Sequence, residues 1–137
     1  MRPLELTIAP VEPTRAGLRR FVLFQWRVFR GDQRWVPPLI TSQVDRLDPA
    51  RGKWFRHGEA ACYAAYRGRR MDGTICCAVD HARNDTSTVH DAVVGFNHYL
   101  PDYAVARALW DHAAAWARHR GLERLVGPFD LDYEDGY

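Results

Sequence analysis

The chain has 137 residues, of which 47% are apolar and 12% aromatic, and its 19 basic and 17 acidic residues leave a formal net charge of +2. This length and apolar content predict a single folded domain over residues 1–137 and exclude a disordered chain. The small net charge favours neither nucleic acid nor membrane as a partner, and no apolar run approaches the ~20 residues that span a bilayer. We therefore expect a cytoplasmic protein with no nucleic-acid and no membrane partner.

The first part of the chain predicts one strand and one helix. Residues Leu4–Ile8 alternate between apolar and polar side chains, which is typical of a half-buried strand. Thr14 can cap a helix that runs to about Arg30 and stops before Gly31. Because its apolar residues fall at helical spacing, we expect this helix to cover one face of a sheet.

A long connection follows from Gly31 to Glu59, and Pro37 and Pro38 force its path to be extended. Loops of this length in a compact domain are usually functional or packed across the domain. Its aromatic residues predict either a lid that faces a ligand or a hydrophobic clamp that only fixes the loop. These residues are Trp35, Trp54 and Phe55.

Two continuous apolar runs, Ala60–Tyr66 and Thr74–Val79, predict the two strands of a hairpin. The segment between them, Arg67–Gly73, is rich in glycine and charge and is expected to form the turn. Both faces of these strands are apolar. We therefore expect them in the middle of a sheet that is covered on both sides.

The residues that could ligate a metal do not have the spacing of a metal site. Cys62, Cys76 and Cys77 lie inside the predicted strands, and the adjacent Cys76 and Cys77 point to opposite faces. The polar, turn-like segment His81–His90 lacks the close His and Cys spacings of a zinc site. We predict free buried thiols and no bound metal.

The stretch from Ala92 to Pro128 predicts a strand, a hinge, a helix and a second strand at Leu122–Val126. Asp102 can cap the helix and Gly121 can end it. Residues at helical spacing predict its buried face, and these are Val105, Leu109, Ala113 and Trp116. Two strands joined by such a helix should be parallel neighbours linked by a right-handed crossover. The whole chain thus predicts an α/β fold of the α+β kind, in which a mixed, largely antiparallel sheet is flanked by helices and ends in a β-α-β crossover.

The hinge His98–Asp102 is the one place where the residues suggest a ligand site. The free N–H groups and the dipole of a helix start can hold a phosphate or another anion. Asp102 competes for those N–H groups, and no glycine in the hinge lets a ligand approach closely. Two interpretations therefore stay open, an anion site and an ordinary capped helix.

A series of short phrases extends over almost the whole chain. They are Phe29–Asp32 with Trp35–Leu39, Leu47–Pro49, Phe55–Glu59, Asp80-His81 with Asn84, Val94–Phe96, Ala108-Leu109 with Trp116, Arg120-Gly121 and Gly127-Pro128. In their order and spacing these phrases resemble the GNAT (N-acetyltransferase) superfamily of acyl-CoA-dependent acyltransferases. More narrowly, they resemble an uncharacterised bacterial GNAT-like family whose members are more than twice as long as this chain.

The resemblance implies a site for acetyl-CoA or another acyl-CoA where the fourth strand and the strand after the next helix splay apart. The pantetheine arm would pair with the backbone of Phe96–Tyr99, and the pyrophosphate would rest on N–H groups of Leu100–Ala104. The implied cofactor-binding residues are Phe96, Asn97, His98, Tyr99, Asp102, Tyr103 and Ala104. The superfamily's glycine-containing pyrophosphate signature is absent from Pro101–Ala106.

The implied activity is transfer of an acyl group to the amine of a small molecule or peptide, and by position Glu59 and His98 are the candidate catalytic residues. The alternative is a degenerate GNAT fold that acts as a non-catalytic ligand- or partner-binding module. Such folds continue after Gly127-Pro128 with further strands, so we expect the chain to be an N-terminal portion that is incomplete at its C-terminus. If the chain were instead complete, the strand Leu122–Val126 would be an exposed sheet edge that invites a partner strand or a homodimer.

Overall fold

The computed structural model describes residues 4–131, which form one five-stranded sheet with helices on both faces. In chain order the elements are β1 (Leu6–Pro10), α1 (Arg15–Val28), α2 (Ile40–Leu47), a 3-10 turn (Lys53–Arg56), β2 (Gly58–Arg67), β3 (Arg70–Asp80), α3 (His81–Asp85), β4 (Asp91–Tyr99), α4 (Tyr103–His119) and β5 (Arg124–Val126). The strand order is β1-β2-β3-β4-β5, in which β4 and β5 are parallel and the other neighbours are antiparallel. This arrangement confirms the predicted mixed sheet and its β-α-β crossover. None of the helices in this part of the chain is long and apolar enough to cross a membrane.

The central strands β3 and β4 bury apolar side chains on both faces, and each face is covered by a helix layer. On one face, the ring centroids of Phe21 in α1 and Phe96 in β4 lie 6.2 Å apart. On the other face, Leu109 and Trp116 of α4 belong to the same buried cluster as Ile75 of β3. The predicted buried face of the last helix is therefore confirmed, as is the central position of the hairpin strands.

The three cysteines are free and buried, as predicted. Cys76 packs in the cluster under α1 and Cys77 in the cluster under α4, which confirms that the two point to opposite faces. Cys62 is the cross-strand partner of Cys76. A hydrogen bond with Cys62, together with burial, raises the pKa of the Cys76 thiol. Burial raises the pKa of the Cys77 thiol to about 12, so Cys76 and Cys77 favour the neutral thiol over a reactive thiolate.

The helix ends follow the capping residues of the sequence. The Thr14 hydroxyl accepts a hydrogen bond from the Gly17 backbone N–H at 3.1 Å, and α1 ends at Val28, two residues before the predicted Arg30. Gly31 then has a φ of 82°, in the left-handed region that glycine adopts at low cost. The end of α4 is similar, because Gly121 follows it with a φ of 69°.

Two predicted boundaries were wrong. The first strand is Leu6–Pro10 rather than Leu4–Ile8. The hairpin turn closes at Gly68, which has a φ of 60°, so the predicted seven-residue turn is mostly strand. The physical reason is Asp72, whose carboxylate is buried and accepts a hydrogen bond from Arg70 Nε at 2.7 Å. A paired carboxylate is compatible with a strand, whereas the sequence pattern treated it as a turn residue.

The segment predicted to be turn-like contains the short helix α3. The Asp80 side chain accepts a hydrogen bond from the backbone N–H of Arg83 at 3.1 Å and caps it. Asn84 donates to the Asp91 carbonyl at 3.0 Å and accepts from the Asp91 N–H at 3.2 Å. Asn84 therefore links α3 to the start of β4 through a satisfied structural amide.

The buried face of α4 provides a direct stability test. We expect Leu109→Ala to lower the free energy of unfolding by about 2–5 kcal/mol, because it removes a fully buried side chain and leaves a cavity. Leu39→Ala is the matched control, since Leu39 is 78% exposed, and its effect should stay within about 0.5 kcal/mol. Urea denaturation of the two variants checks both values, and equal effects would contradict the packing described here.

Candidate functional site

The end of β4 is shaped by a β-bulge. The register between β3 and β4 shifts between the pairs Cys76–Gly95 and Thr74–His98. Phe96 lies in the bulge with a φ of 46°, which is uncommon for a residue with a side chain. The Thr74 hydroxyl donates to the Phe96 carbonyl at 2.8 Å and holds this conformation. Bulges re-aim the side chains that follow them, and here those side chains belong to candidate site residues.

The bulge sends the next two side chains to opposite faces of the sheet. Asn97 faces α4, because its Oδ1 accepts a hydrogen bond from Trp110 Nε1 at 3.0 Å. Its Nδ2 donates to the Thr74 carbonyl at 2.9 Å, so the amide is held at both ends. His98 faces α1, where its ring lies edge-on to Phe29 with centroids 5.8 Å apart.

The edge of β4 that faces β5 is partly occupied by the chain itself. The two strands pair only from Asp91 to Val93 on β4. Beyond them, the Phe129 N–H donates to the Val94 carbonyl at 2.9 Å, and the Phe96 N–H donates to Asp130 Oδ1 at 2.8 Å. Any gap between the two strands therefore begins after Phe96.

The start of α4 is a charged, paired cap. Asp102 Oδ1 accepts a hydrogen bond from the Ala104 N–H at 3.1 Å, and Oδ2 accepts one from Arg67 Nη2 at 3.1 Å. The Arg67 guanidinium holds the pKa of the Asp102 carboxyl below its ordinary value. Of the two interpretations of the hinge, the structure supports the capped helix. As it stands, this helix start does not fit a pyrophosphate, because a carboxylate already occupies the place of the anion.

Arg67 also belongs to a cluster of arginines around Asp72. Asp72 accepts from Arg70 at 2.7 Å, and the guanidinium nitrogens of Arg27 and Arg67 lie 3.8 and 3.9 Å from its carboxylate. Asp72 is only 3% exposed, so its charge needs these partners. The cluster joins the end of α1, the β2–β3 hairpin and the start of α4.

His98 is a half-buried imidazole whose Nε2 atom is buried and has no hydrogen-bond partner within residues 4–131. Burial lowers the pKa of His98, and the charge of Asp130 opposes this shift only in part. The ring is therefore neutral near pH 7. A buried polar atom without a partner is uncommon and is a place where a ligand or a proton can be bound.

Phe29, whose ring contacts that of His98, forms one wall of an aromatic cavity of about 550 Å³, and His98 itself does not line this cavity. Trp35 stacks on Phe29 with centroids 5.1 Å apart and meets Trp26 edge-on at 5.2 Å. The cavity is lined by Trp26, Phe29, Arg30, Gly31, Asp32, Gln33, Trp35 and Pro37. Its apolar walls and few polar groups are typical of a site for an organic ligand.

The aromatic residues of the long connection were expected to face a ligand or to fix the loop, and its two tryptophans differ in this respect. Trp35 is half-buried and forms a wall of the cavity. Trp54 is 4% exposed, and its Nε1 donates to the Glu59 carbonyl at 3.0 Å, which makes it a clamp. The positions of Trp35 and Trp54 in the sequence did not show which of them would line a cavity and which would fix the loop.

The candidate catalytic residues Glu59 and His98 do not share a site. Glu59 pairs with Val79 on β3 and His98 with Thr74, so they lie five residues, or roughly 17 Å, apart along the strand. The Glu59 carboxylate accepts from Arg120 Nε at 2.6 Å, at the far end of α4. Only His98 lies at the end of β4. Within residues 4–131 no group of three His, Cys, Asp or Glu side chains could hold a metal ion.

The other predicted cofactor-binding residues differ in whether their backbone N–H groups and side chains are free to contact a ligand. The backbone N–H groups of Phe96 and Ala104 are already bound to carboxylates. Tyr99 and Tyr103 are exposed, Tyr103 by 79%. Sequence reasoning missed the roles of Arg67 and Asp130, for which no local pattern gives a signal.

Comparison with solved structures defines the class of this fold. No family model matches the chain. An aminoglycoside N-acetyltransferase, AAC(6')-Iy, in complex with CoA, superposes with a TM-score of 0.63 at 13% identity and covers 93% of this chain and 79% of its own. A tandem GNAT protein from the clavulanic acid biosynthesis pathway gives a TM-score of 0.62 at 20% identity and covers 86% of this chain and 34% of its own. The chain therefore has the GNAT fold.

One relative is similar to this chain in sequence. A bacterial ceramide synthase of Caulobacter vibrioides is 33% identical over 132 residues, which are 96% of this chain. These residues are 34% of the relative, so the chain spans about a third of the length of the curated relative that it matches. The likeness extends along nearly all of the chain.

The Arg67–Asp102 pair predicts a dependence of stability on pH. Because the folded-state pKa of Asp102 lies below its unfolded value of about 3.9, its contribution is complete above that value and is lost as pH falls through the folded-state pKa. Asp102→Asn keeps a capping oxygen but removes the charge. We expect it to lower the free energy of unfolding at pH 7, and the difference from wild type should shrink below pH ~4. Asp111→Asn, at an exposed position in the same helix, is the control in denaturation series over pH, and a difference for Asp102→Asn that does not change with pH would contradict the assignment.

Proposed function

We propose that this chain takes part in N-acyl transfer, in which an acyl group passes from an acyl-CoA thioester to an amine. The observation that carries the proposal is the neutral His98 imidazole at the end of β4, whose ring contacts Phe29 in the wall of the aromatic cavity. The GNAT fold of the chain, which AAC(6')-Iy shares in its complex with CoA, supports it. The ceramide synthase of Caulobacter vibrioides adds support from sequence.

The chemistry assigned to His98 is proton acceptance. An amine attacks an acyl group only when its nitrogen has a free lone pair, so a protonated amine must first lose a proton. A neutral imidazole can accept that proton at Nε2, and this atom has no hydrogen-bond partner in residues 4–131. The lowered pKa keeps the imidazole in its accepting form near neutral pH.

The proposed contacts of an acyl donor are the residues implied by the resemblance. His98 and Tyr99 at the end of β4, with Tyr103 on α4, are the ones whose side chains leave room for a ligand, whereas the Asn97 amide is already hydrogen-bonded at both ends. The Asp102 carboxylate holds the place of the donor's phosphates. We derive no step that depends on phosphates at the helix start.

For the acceptor, we propose an amine with an apolar chain. A ceramide is the amide of a fatty acid and a long-chain amine, and the name of the relative attributes its synthesis to that protein. The walls formed by Trp26, Phe29 and Trp35 suit an apolar chain. The printed name describes the relative at its full length, and this chain spans a third of that length. Its activity is carried to this chain only as part of the proposal. We also propose a cytoplasmic location, which the three free thiols support.

The second candidate function is a GNAT fold that binds a ligand or partner without catalysis. One observation favours it, namely the charged cap at the start of α4. Asp102 satisfies the Ala104 N–H and is itself paired with Arg67, so the helix start carries a negative charge where the donor's phosphates would be bound. Binding of CoA separates the two functions.

Calorimetric titration of the chain with CoA and acetyl-CoA tests donor binding. We expect both to bind, and Asp102→Gly should bind them more tightly because it removes a carboxylate that competes for the helix N–H groups. Asp111→Gly is the control for the loss of an acid from the same helix. Absence of heat at millimolar CoA, for the wild type and for Asp102→Gly, would contradict the acyltransferase proposal and favour the binding module.

Release of CoA from an acyl-CoA in the presence of a long-chain amine tests the role of His98. We expect His98→Gln to reduce the rate by roughly 10²–10⁴-fold, since general-base catalysis typically contributes that much. His81→Gln changes an exposed histidine on α3 and should leave the rate unchanged. A wild-type rate for His98→Gln would remove His98 from the proposed chemistry.

A further inference from the structure

The exposed apolar side chains of this protein are unevenly distributed. Within residues 4–131, the large apolar residues exposed to solvent are Leu4 (61%), Val36 (83%), Leu39 (78%), Tyr99 (38%) and Tyr103 (79%). Single exposed apolar residues are normal, whereas a group of them on one surface marks a binding surface. The positions of these five residues in the fold therefore decide whether they form a binding surface.

Three of the five lie where β4 ends and α4 begins. Tyr99 is the last residue of β4 and Tyr103 is the first of α4. Leu4 lies at the β2–β3 turn, since its carbonyl accepts a hydrogen bond from Arg67 Nη1 at 3.3 Å. That turn is beside the end of β4, because Gly73 pairs with Tyr99.

The other two, Val36 and Leu39, lie in the connection between α1 and α2, and Val36 is at the same end of the molecule. Phe29, directly after α1, contacts His98 near the end of β4. Gln25 in the last turn of α1 donates to Gln43 in the first turn of α2 at 2.8 Å. Ile40 and Thr41 at the start of α2 line a cleft with Arg15 and Arg19 in the first half of α1, so Leu39 lies away from the end of α1, whereas Val36 follows Trp35, which stacks on Phe29. Four of the five exposed apolar residues, Leu4, Val36, Tyr99 and Tyr103, thus share one end, which we call the apolar end.

The apolar end also has an excess of positive charge. Its elements carry six arginines and four carboxylates, namely Arg27, Arg30, Arg34, Arg67, Arg69 and Arg70 against Glu5, Asp32, Asp72 and Asp102. Arg30 and Arg69 make no ion pair within residues 4–131, and Arg34, whose side chain is 94% exposed, pairs with Asp32 at 3.4 Å. We expected no membrane partner because the net charge of the whole chain is small. In the fold, however, arginines and exposed apolar side chains lie together at one end.

We propose that the apolar end binds the surface of a bilayer that contains anionic lipids. Exposed aliphatic side chains enter the boundary between headgroups and acyl chains, tyrosines favour that boundary, and arginines are attracted to anionic headgroups. Binding in this orientation brings the aromatic cavity, which adjoins Val36, to the membrane surface. The inference goes beyond the proposed acyl transfer and does not depend on it, because vesicles are bound or not bound in the absence of CoA.

Flotation of the full 137-residue chain with lipid vesicles tests the proposal. We expect the chain to float with vesicles of phosphatidylcholine and phosphatidylglycerol, to float much less with phosphatidylcholine alone, and to dissociate as salt is raised. The double variant Val36→Ser, Tyr103→Ser should lower partitioning by roughly tenfold or more, because two apolar side chains leave the boundary region. Val89→Ser, a half-buried position at the opposite end before β4, is the control for the loss of an apolar side chain and should float like the wild type.

A second pair of variants tests the contribution of charge. Arg30→Ser with Arg34→Ser should abolish the preference for anionic vesicles, whereas Arg118→Ser, at the far end of α4, should retain it. Thermal unfolding of each variant checks that the fold is intact. The proposal is wrong if the wild type does not float, if it floats equally with both kinds of vesicle, or if Val36→Ser, Tyr103→Ser floats like the wild type. A wild-type dimer that becomes a monomer in that variant, without flotation, would identify the apolar end as a self-association surface instead.

Discussion

Burial on both faces of β3 and β4 is the constraint on which the rest of this structure depends. Strands that expose neither face to water need a helix layer on each side, and the chain supplies α1 and α2 on one side and α4 on the other. Because α4 must return the chain to the same sheet, β5 pairs with β4 in parallel. The end of β4, the end of α1 and the start of α4 then meet at one end of the sheet, so core packing alone decides where the candidate site lies.

At that end, local polar groups decide what the site can bind. The bulge at Phe96 points Asn97 towards α4 and His98 towards α1, which separates a satisfied amide from an imidazole without a partner. Burial without a hydrogen bond keeps His98 neutral. Asp102 has the opposite environment, since Arg67 stabilises its charged form. Two titratable groups four residues apart are therefore held in different protonation states suited to different roles.

The sequence predicted the features that depend on local pattern. The α4 helix, its Asp102 cap and its buried face are present because capping chemistry and helical spacing act over a few residues. The features that it did not predict depend on residues far apart in the chain. Asp72 is strand rather than turn because Arg70 and two more distant arginines pair with it, and the β4 edge is engaged because Asp130 returns to Phe96. The aromatic cavity had a weak local signal in Trp26 and Phe29, one helical turn apart, but the contact with Trp35 needed the fold.

The charged start of α4 bears on whether the fold can still bind the phosphates of an acyl donor. A helix N-terminus carries roughly half a positive charge, which Asp102 already balances. An incoming phosphate would be repelled by this carboxylate unless the side chain turned away. Arg67 strengthens this balance, because its Nε and Nη2 both donate to Asp102 Oδ2, at 3.3 and 3.1 Å. Arg67 also lies 3.9 Å from Asp72, so two carboxylates hold its guanidinium at this end of the sheet. The pair therefore keeps the Asp102 carboxylate charged and in place, and the start of α4 is a capped helix because Arg67 comes from a distant strand to stabilise the cap.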